Sequence, residues 1–178
     1  MTKFVALLRG INVGGNKLIK MEDLKKCFAA AGFKNVKTIL ASGNVLFEST
    51  NADEDALAKK IADKLKAELG LDVGIQIRSI DEIQKLADRN PFKKIKVTPE
   101  TRLYITFLPE KPKSKLKIPY ESPEKDFKIL EVTHREICSV VTLSPGRGTL
   151  DMMGFVEKEF GKNITTRNWN TVGKILKG

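Results

Sequence analysis

Residues 4–8 form an unbroken apolar run, Phe-Val-Ala-Leu-Leu, directly ahead of a polar, glycine-rich stretch. Phe4, Ala6 and Leu8 fall on one face of an extended chain and Val5 and Leu7 on the other, so residues 3–9 predict a central strand covered on both sides. Met21, Leu24, Phe28 and Ala31 recur at helical spacing, with Gly32 placed to end the helix. Residues 36–41 and 44–49 predict two strands joined by the turn Ser42-Gly43-Asn44. Asp53 is placed to cap a long helix whose stripe is Leu57, Ile61, Leu65 and Leu69, with Gly70 closing it, and residues 73–78 predict a fourth strand. The order β-α-β-β-α-β is that of a ferredoxin-like unit.

The second half is patterned differently. Ser79-Ile80-Asp81-Glu82 is a capping box that opens a helix through residue 87. Prolines at 91, 99, 109, 112, 119 and 123 then fall among many lysines; residues 102–108 predict a strand, and 111–117 an exposed, mobile connection. A second hairpin is predicted from 127–132 and 136–143 around Thr133-His134-Arg135. Thr149 opens a helix carrying Leu150, Met153, Val156 and Phe160. A last helix follows Thr165-Thr166-Arg167-Asn168, with Trp169, Val172 and Leu176 on one face, which predicts that Trp169 anchors it in the core. No internal repeat is evident. The chain reads as α+β: a ferredoxin-like βαββαβ subdomain over residues 1–79 and a second α+β subdomain over 80–178 ending in two helices.

A chain of 178 residues is long enough to bury most of its apolar surface. The formal net charge of +10 favours anionic partners, nucleic acid or phosphorylated ligands, through long-range attraction, although a lysine-rich surface also serves solubility. Cys27 and Cys138 are the only cysteines and stand far apart, which argues against a disulfide framework. The run at 4–8 is too short for a signal segment, and no stretch approaches a membrane span. These features predict a soluble cytoplasmic protein without a membrane partner.

Candidate chemistry concentrates where the first strand ends, in Arg9-Gly10-Ile11-Asn12-Val13-Gly14-Gly15-Asn16. A ferredoxin-like sheet has the strand order 4-1-3-2, which brings this exit beside the Ser42-Gly43-Asn44 turn. Glycines that accept positive φ let backbone amides converge on an anion, and a helix begins just beyond. Arg9, Gly10, Asn12, Gly14, Gly15, Asn16, Ser42 and Asn44 are therefore candidate ligand contacts, with Arg167 and Asn168 as further donors. The loop is not a P-loop, because Asn16 precedes Lys17 and Leu18 stands where a hydroxyl is needed, and it lacks GxGxxG spacing. His134 is the only histidine, which argues against histidine metal clusters and a Ser-His-Asp triad. Asp151 is either an acid–base group or a helix cap. No catalytic residue, metal site or cofactor is identified. The reading is a binding protein for an anionic small molecule, phosphate or carboxylate. The alternatives are a nucleic-acid binder acting through distributed lysines and, last, an enzyme on a phosphorylated small molecule. The second face of the first strand needs cover, either from the second subdomain or from another copy in a homo-oligomer.

Three stretches together, Leu8-Arg9-Gly10-Ile11-Asn12-Val13-Gly14-Gly15-Asn16, Ser42-Gly43-Asn44-Val45 and Thr165-Thr166-Arg167-Asn168-Trp169-Asn170-Thr171, resemble the bacterial domain-of-unknown-function family numbered 1697. The resemblance spans nearly the whole chain and implies an α+β architecture of two ferredoxin-like subdomains, without implying an activity. Ala41 stands where the resemblance implies a polar residue, often glutamine, so position 41 is not among the candidate contacts.

Overall fold

The apolar run near the start becomes β1 (Thr2–Leu8), buried without interruption from Phe4 to Leu8. The computed structural model describes residues 1–15 and 17–178; Asn16, one of the candidate contacts, lies outside the described residues. After β1 come α1 (Met21–Ala30), β2 (Lys34–Ile39), β3 (Asn44–Ser49), α2 (Glu54–Leu69), β4 (Ile75–Ser79) and α3 (Ile80–Arg89). The sheet order is β2-β3-β1-β4 with every neighbouring pair antiparallel, as the βαββαβ succession predicts.

Local chemistry sets the helix ends. The Asp53 carboxylate accepts the Ala56 N–H at 3.0 Å to open α2. Ser79 Oγ accepts the Glu82 N–H at 3.2 Å while Glu82 accepts the Ser79 N–H at 3.1 Å, the reciprocal capping box that opens α3. On one sheet face Phe4, Ala6 and Leu8 pack with Leu24 and Phe28 of α1 and Leu57, Ile61 and Leu65 of α2. The rings of Phe28, Phe33 and Phe47 fill its centre, with centroids 4.6 to 6.0 Å apart. Val5, Leu7 and Leu46 on the opposite face are buried as well. Gly178 lies against Ile39 and Leu46 there, and Lys37 Nζ donates to its carbonyl at 3.3 Å.

The second sheet is built from β5 (Thr101–Phe107), β6 (Tyr120–Glu121), β7 (Phe127–Val132), β8 (Glu136–Thr142) and β9 (Thr165–Asn168), with α4 (Thr149–Phe160) between β8 and β9 and α5 (Trp169–Leu176) after it. Its order is β6-β7-β8-β5-β9. With β6 set aside, β7-β8-β5-β9 repeats the order β2-β3-β1-β4, and each fourth strand runs directly into a helix. The second unit thus carries the topology of the first, a repeat that the sequence pattern does not reveal. The first crossover is where the two differ: α1 has no helical counterpart, and residues 108–126 cross instead as an extended strap.

That strap corrects the expectation of an exposed connection at 111–117, since every second residue is partly buried. Exposure alternates along it. Lys111, Lys113, Lys115 and Lys117 face solvent, while Pro112, Ser114, Leu116 and Ile118 are half-buried. Leu116, Ile118 and Tyr120 pack on a core of Leu108, Phe127, Ile129, Ile137, Val141, Met152 and Val156. Two further expectations change. Residues 165–168 form β9 rather than a lead-in to the last helix, and Trp169 is half-exposed rather than a core anchor; Val172 and Ile175 are the buried apolar residues of α5. By compactness the chain divides into Met1–Ala87 with Val172–Gly178, and Asp88–Thr171, where the sequence pattern places a single division at 79/80.

Candidate functional site

The exit of β1 and the turn between β2 and β3 are joined by direct hydrogen bonds. Leu8 N–H donates to the Gly43 carbonyl at 2.9 Å, and Asn12 Nδ2 donates to the Ala41 carbonyl at 2.8 Å. The Asn12 amide also donates to the Ile19 carbonyl at 3.1 Å and accepts the Ile19 N–H at 2.8 Å, closing the neck of the loop. A third segment borders the same loop: the Arg9 N–H donates to the Gly74 carbonyl at 2.9 Å, and Lys17 Nζ donates to the Asp72 carbonyl at 3.2 Å.

Backbone conformation explains the composition of the loop. φ is positive at Gly10 (65°), Asn12 (54°), Gly14 (58°), Gly15 (77°) and Lys17 (48°). Positive φ is the conformation that glycine adopts without steric cost, and Asn12 and Lys17 share it. Gly10, Gly14 and Gly15 are exposed, and a Cβ on any of them meets nothing within 4 Å, so dihedral freedom rather than space requires glycine there. Gly43 is different: a Cβ would lie 3.1 Å from Leu8 Cβ and 3.2 Å from Ile11 Cβ, at a φ of 83°.

The candidate side chains divide by role. Both ends of the Asn12 amide are engaged with backbone, so this residue holds the loop to the turn. Asn44 is fully buried, with Nδ2 donating to the Ile39 carbonyl at 2.8 Å and to Ser42 Oγ at 3.0 Å, which shapes the turn from below. Arg9 is half-buried, and the exposed backbone of Gly10, Gly14 and Gly15 forms the outer lip. The first turn of α1 carries Glu22 and Asp23, acids that already complement the helix dipole, so the helix adds little pull on an anion.

Arg167 and Asn168 belong to β9 in the second unit. Arg167 is buried, and its Nη1 donates to Thr165 Oγ1 at 2.8 Å and to the Thr166 carbonyl at 3.0 Å. Burial pushes its pKa down to about 10. Asn168 Oδ1 accepts the Asn170 N–H at 2.9 Å, and Asn168 lines a cavity with Trp169 and Asn170. Pattern reading missed Arg102 on β5, which faces that cavity; a charged residue inside a predicted strand was the available signal.

The two cysteines and Asp151 sit in settings that do not favour covalent or acid–base work. Burial raises the thiol of Cys27 to about 11, helped by Glu68, and that of Cys138 to about 12, so both are protonated at neutral pH. Asp151 accepts the Gly148 N–H at 2.8 Å, the capping role. Among the described residues no group of three or more His, Cys, Asp or Glu side chains is placed to hold a metal ion, and no helix is long and apolar enough to cross a membrane.

Among the described residues two antiparallel sheets and five helices, with a left-handed loop clasped to a hairpin, define an α+β protein built on a repeated topology. The sequence pattern described as "Protein of unknown function (DUF1697)" matches residues 1–137, and the chain belongs to that family. Among solved structures it is similar to the conserved bacterial protein SP0830 from Streptococcus pneumoniae, at 18% identity and a TM-score of 0.68, over 99% of this chain and 97% of that one. At that identity the likeness concerns the fold. No curated protein matches the chain.

Proposed function

We propose that the chain is a binding protein whose ligand site is the rim made by Arg9, Gly10, Asn12, Gly14 and Gly15 with the turn Ser42-Gly43-Asn44, taking the phosphate or carboxylate of a small molecule. The observation that carries this reading is the pair of bonds from Leu8 to Gly43 and from Asn12 to Ala41, which hold an exposed, repeatedly left-handed backbone at a fixed place beside Arg9. A preformed rim of this kind costs little ordering on binding. Two unpaired cysteines suit the reducing, cytoplasmic setting expected for it. Titration of the 15N-labelled protein with inorganic phosphate and with AMP tests the reading. Shifts are expected at the amides of Gly10, Gly14, Gly15 and Gly43, and Arg9→Ala is expected to weaken binding about tenfold or more, since a charge-assisted contact is worth about 1.5–3 kcal/mol. Absence of localised shifts at these glycines overturns it.

The strap supports a second reading, a nucleic-acid binder. Lysines at alternate positions of an extended chain stand about 6.6 Å apart on one side, a spacing suited to a phosphate backbone.

A further inference from the structure

A cavity of about 480 Å³ opens in the second unit between the segment following α3 and the junction of β9 with α5, a volume within the range of small-molecule sites. Two aromatic rings form part of its wall. Trp169 is half-exposed and stands edge-on to the buried Phe92, centroids 5.2 Å apart at 70°. Phe92 therefore braces the indole while leaving part of it open to the cavity.

Arg102 supplies charge on the same wall. Its Nη1 donates to the Pro99 carbonyl at 2.8 Å and to the Thr101 carbonyl at 2.9 Å, which orients the guanidinium through one nitrogen. Among the described residues no carboxylate lies within ion-pair distance of it, and its Nε and Nη2 donate to no protein group. Asn168 and Asn170 border the opening, and only Asn168 Oδ1 is engaged, so both side-chain amides and the indole N–H remain available. A braced indole, a half-oriented guanidinium without a counter-ion and two carboxamides are complementary to one chemistry. The ring takes a flat apolar surface, the guanidinium an anion in its planar fork, and the amides the polar edge of a heterocycle.

We infer that this cavity binds a planar heteroaromatic ring carrying one phosphate or carboxylate group. The ring lies on Trp169, the anion meets Arg102, and Asn168 and Asn170 read the ring edge. This site is separate in sequence from the rim and stands independently of the function proposed for it.

Trp169 is the only tryptophan of the chain, so its emission and its indole N–H resonance report this cavity alone. The test titrates the intact protein with AMP, GMP, UMP and nicotinate, using adenosine and inorganic phosphate as half-ligands. The expected result is a saturable shift of the Trp169 indole resonance with at least one of the four anionic ring compounds. That compound should lose tenfold or more in affinity in Arg102→Gln, and Asn170→Ala should weaken it without altering thermal stability. If Arg102→Gln does not fold, the wild type decides on the anion: the responding compound must bind at least tenfold more tightly than the same ring without its phosphate or carboxylate, adenosine in the case of AMP. A Trp169 signal that none of the four compounds saturates overturns the inference. So does undiminished binding to folded Arg102→Gln, or equal binding of AMP and adenosine where AMP is the responding ligand.

Discussion

Arg78 and Arg167 occupy the same place in two different sheets. Each is the penultimate residue of a fourth strand, each is buried, and each guanidinium donates through Nη1 to the carbonyl of the residue before it, at 2.7 Å from Arg78 to Ile77 and 3.0 Å from Arg167 to Thr166. A polar residue follows both, Ser79 and Asn168, and accepts a backbone N–H in the first turn of the next helix. The duplicated element therefore includes the strand-to-helix junction with its buried cation.

The first prediction concerns the stability of that junction. Arg167→Ala leaves a buried cavity and the Thr166 carbonyl without this donor, so it should cost about 2–5 kcal/mol, in the range of large-to-alanine changes at buried sites. Arg167→Met keeps volume and removes a desolvated charge, so it should recover most of the loss. Trp169→Ala, at a half-exposed position, should cost less than Arg167→Ala. Urea unfolding of the three variants gives the ranking.

Gly43 and Gly14 separate two reasons for glycine. Gly14→Ala strains only the dihedral and should cost about 1–2 kcal/mol. Gly43→Ala has the same strain and also drives a Cβ against Leu8 and Ile11, so it should cost clearly more. Thermal denaturation of the pair distinguishes them, and equal losses would remove the close approach as a cause.

The fold was legible wherever apolar residues carry the pattern. The stripe Leu57, Ile61, Leu65 and Leu69 and the two-faced run Phe4 to Leu8 left little choice, and all are buried except Leu69, which is half-buried. β9 was hidden because its two inward positions are Thr165 and Arg167, a period-two pattern written in polar side chains. The strap was hidden by its prolines and lysines, although the alternation of lysine with less polar residues from 111 to 117 is itself an extended-chain signature. At the candidate rim, topology alone brought loop and turn together. That the asparagines bond main chain was one of the two roles open to them from the sequence; which carbonyls the Asn12 and Asn44 amides engage was not legible, since a carbonyl partner has no residue identity to read.

The cysteines give a pH dependence of definite sign. Both thiols are raised above their ordinary 9.0, Cys27 to about 11 and Cys138 to about 12, chiefly by burial. The folded state thus holds its thiol protons more tightly than the unfolded chain does. Their contribution to stability is complete below pH 9.0 and is lost as the pH rises from there through about 11 and 12. Cys138→Ala should flatten part of that alkaline decline in a pH series of urea midpoints. In the native protein at neutral pH neither thiol should react with iodoacetamide until the chain is unfolded.

For the strap, binding to a deoxythymidine oligomer should weaken steeply with salt. Lys113→Ala combined with Lys115→Ala should lower the slope of log affinity against log salt by about 1.4, at about 0.7 for each phosphate contact on a single strand. Melting temperature should stay nearly unchanged, since both lysines are exposed. An unaltered slope would reduce these lysines to solubility.

The composition of the first unit bears on how the protein is made. Met1–Ala87 leave the ribosome before Asp88–Thr171, yet their unit also contains Val172–Gly178, and the bond from Lys37 to Gly178 joins positions 141 residues apart. The intervening Asp88–Thr171 form a continuous unit with all its strands already in hand when synthesis reaches α5. Vectorial synthesis thus inverts the usual order: the part begun first is finished last. During that interval the face carrying Val5, Leu7 and Leu46 lacks the cover that Gly178 later gives Leu46, and nascent chains stalled before residue 172 should engage chaperones more than chains that include residues 172–178.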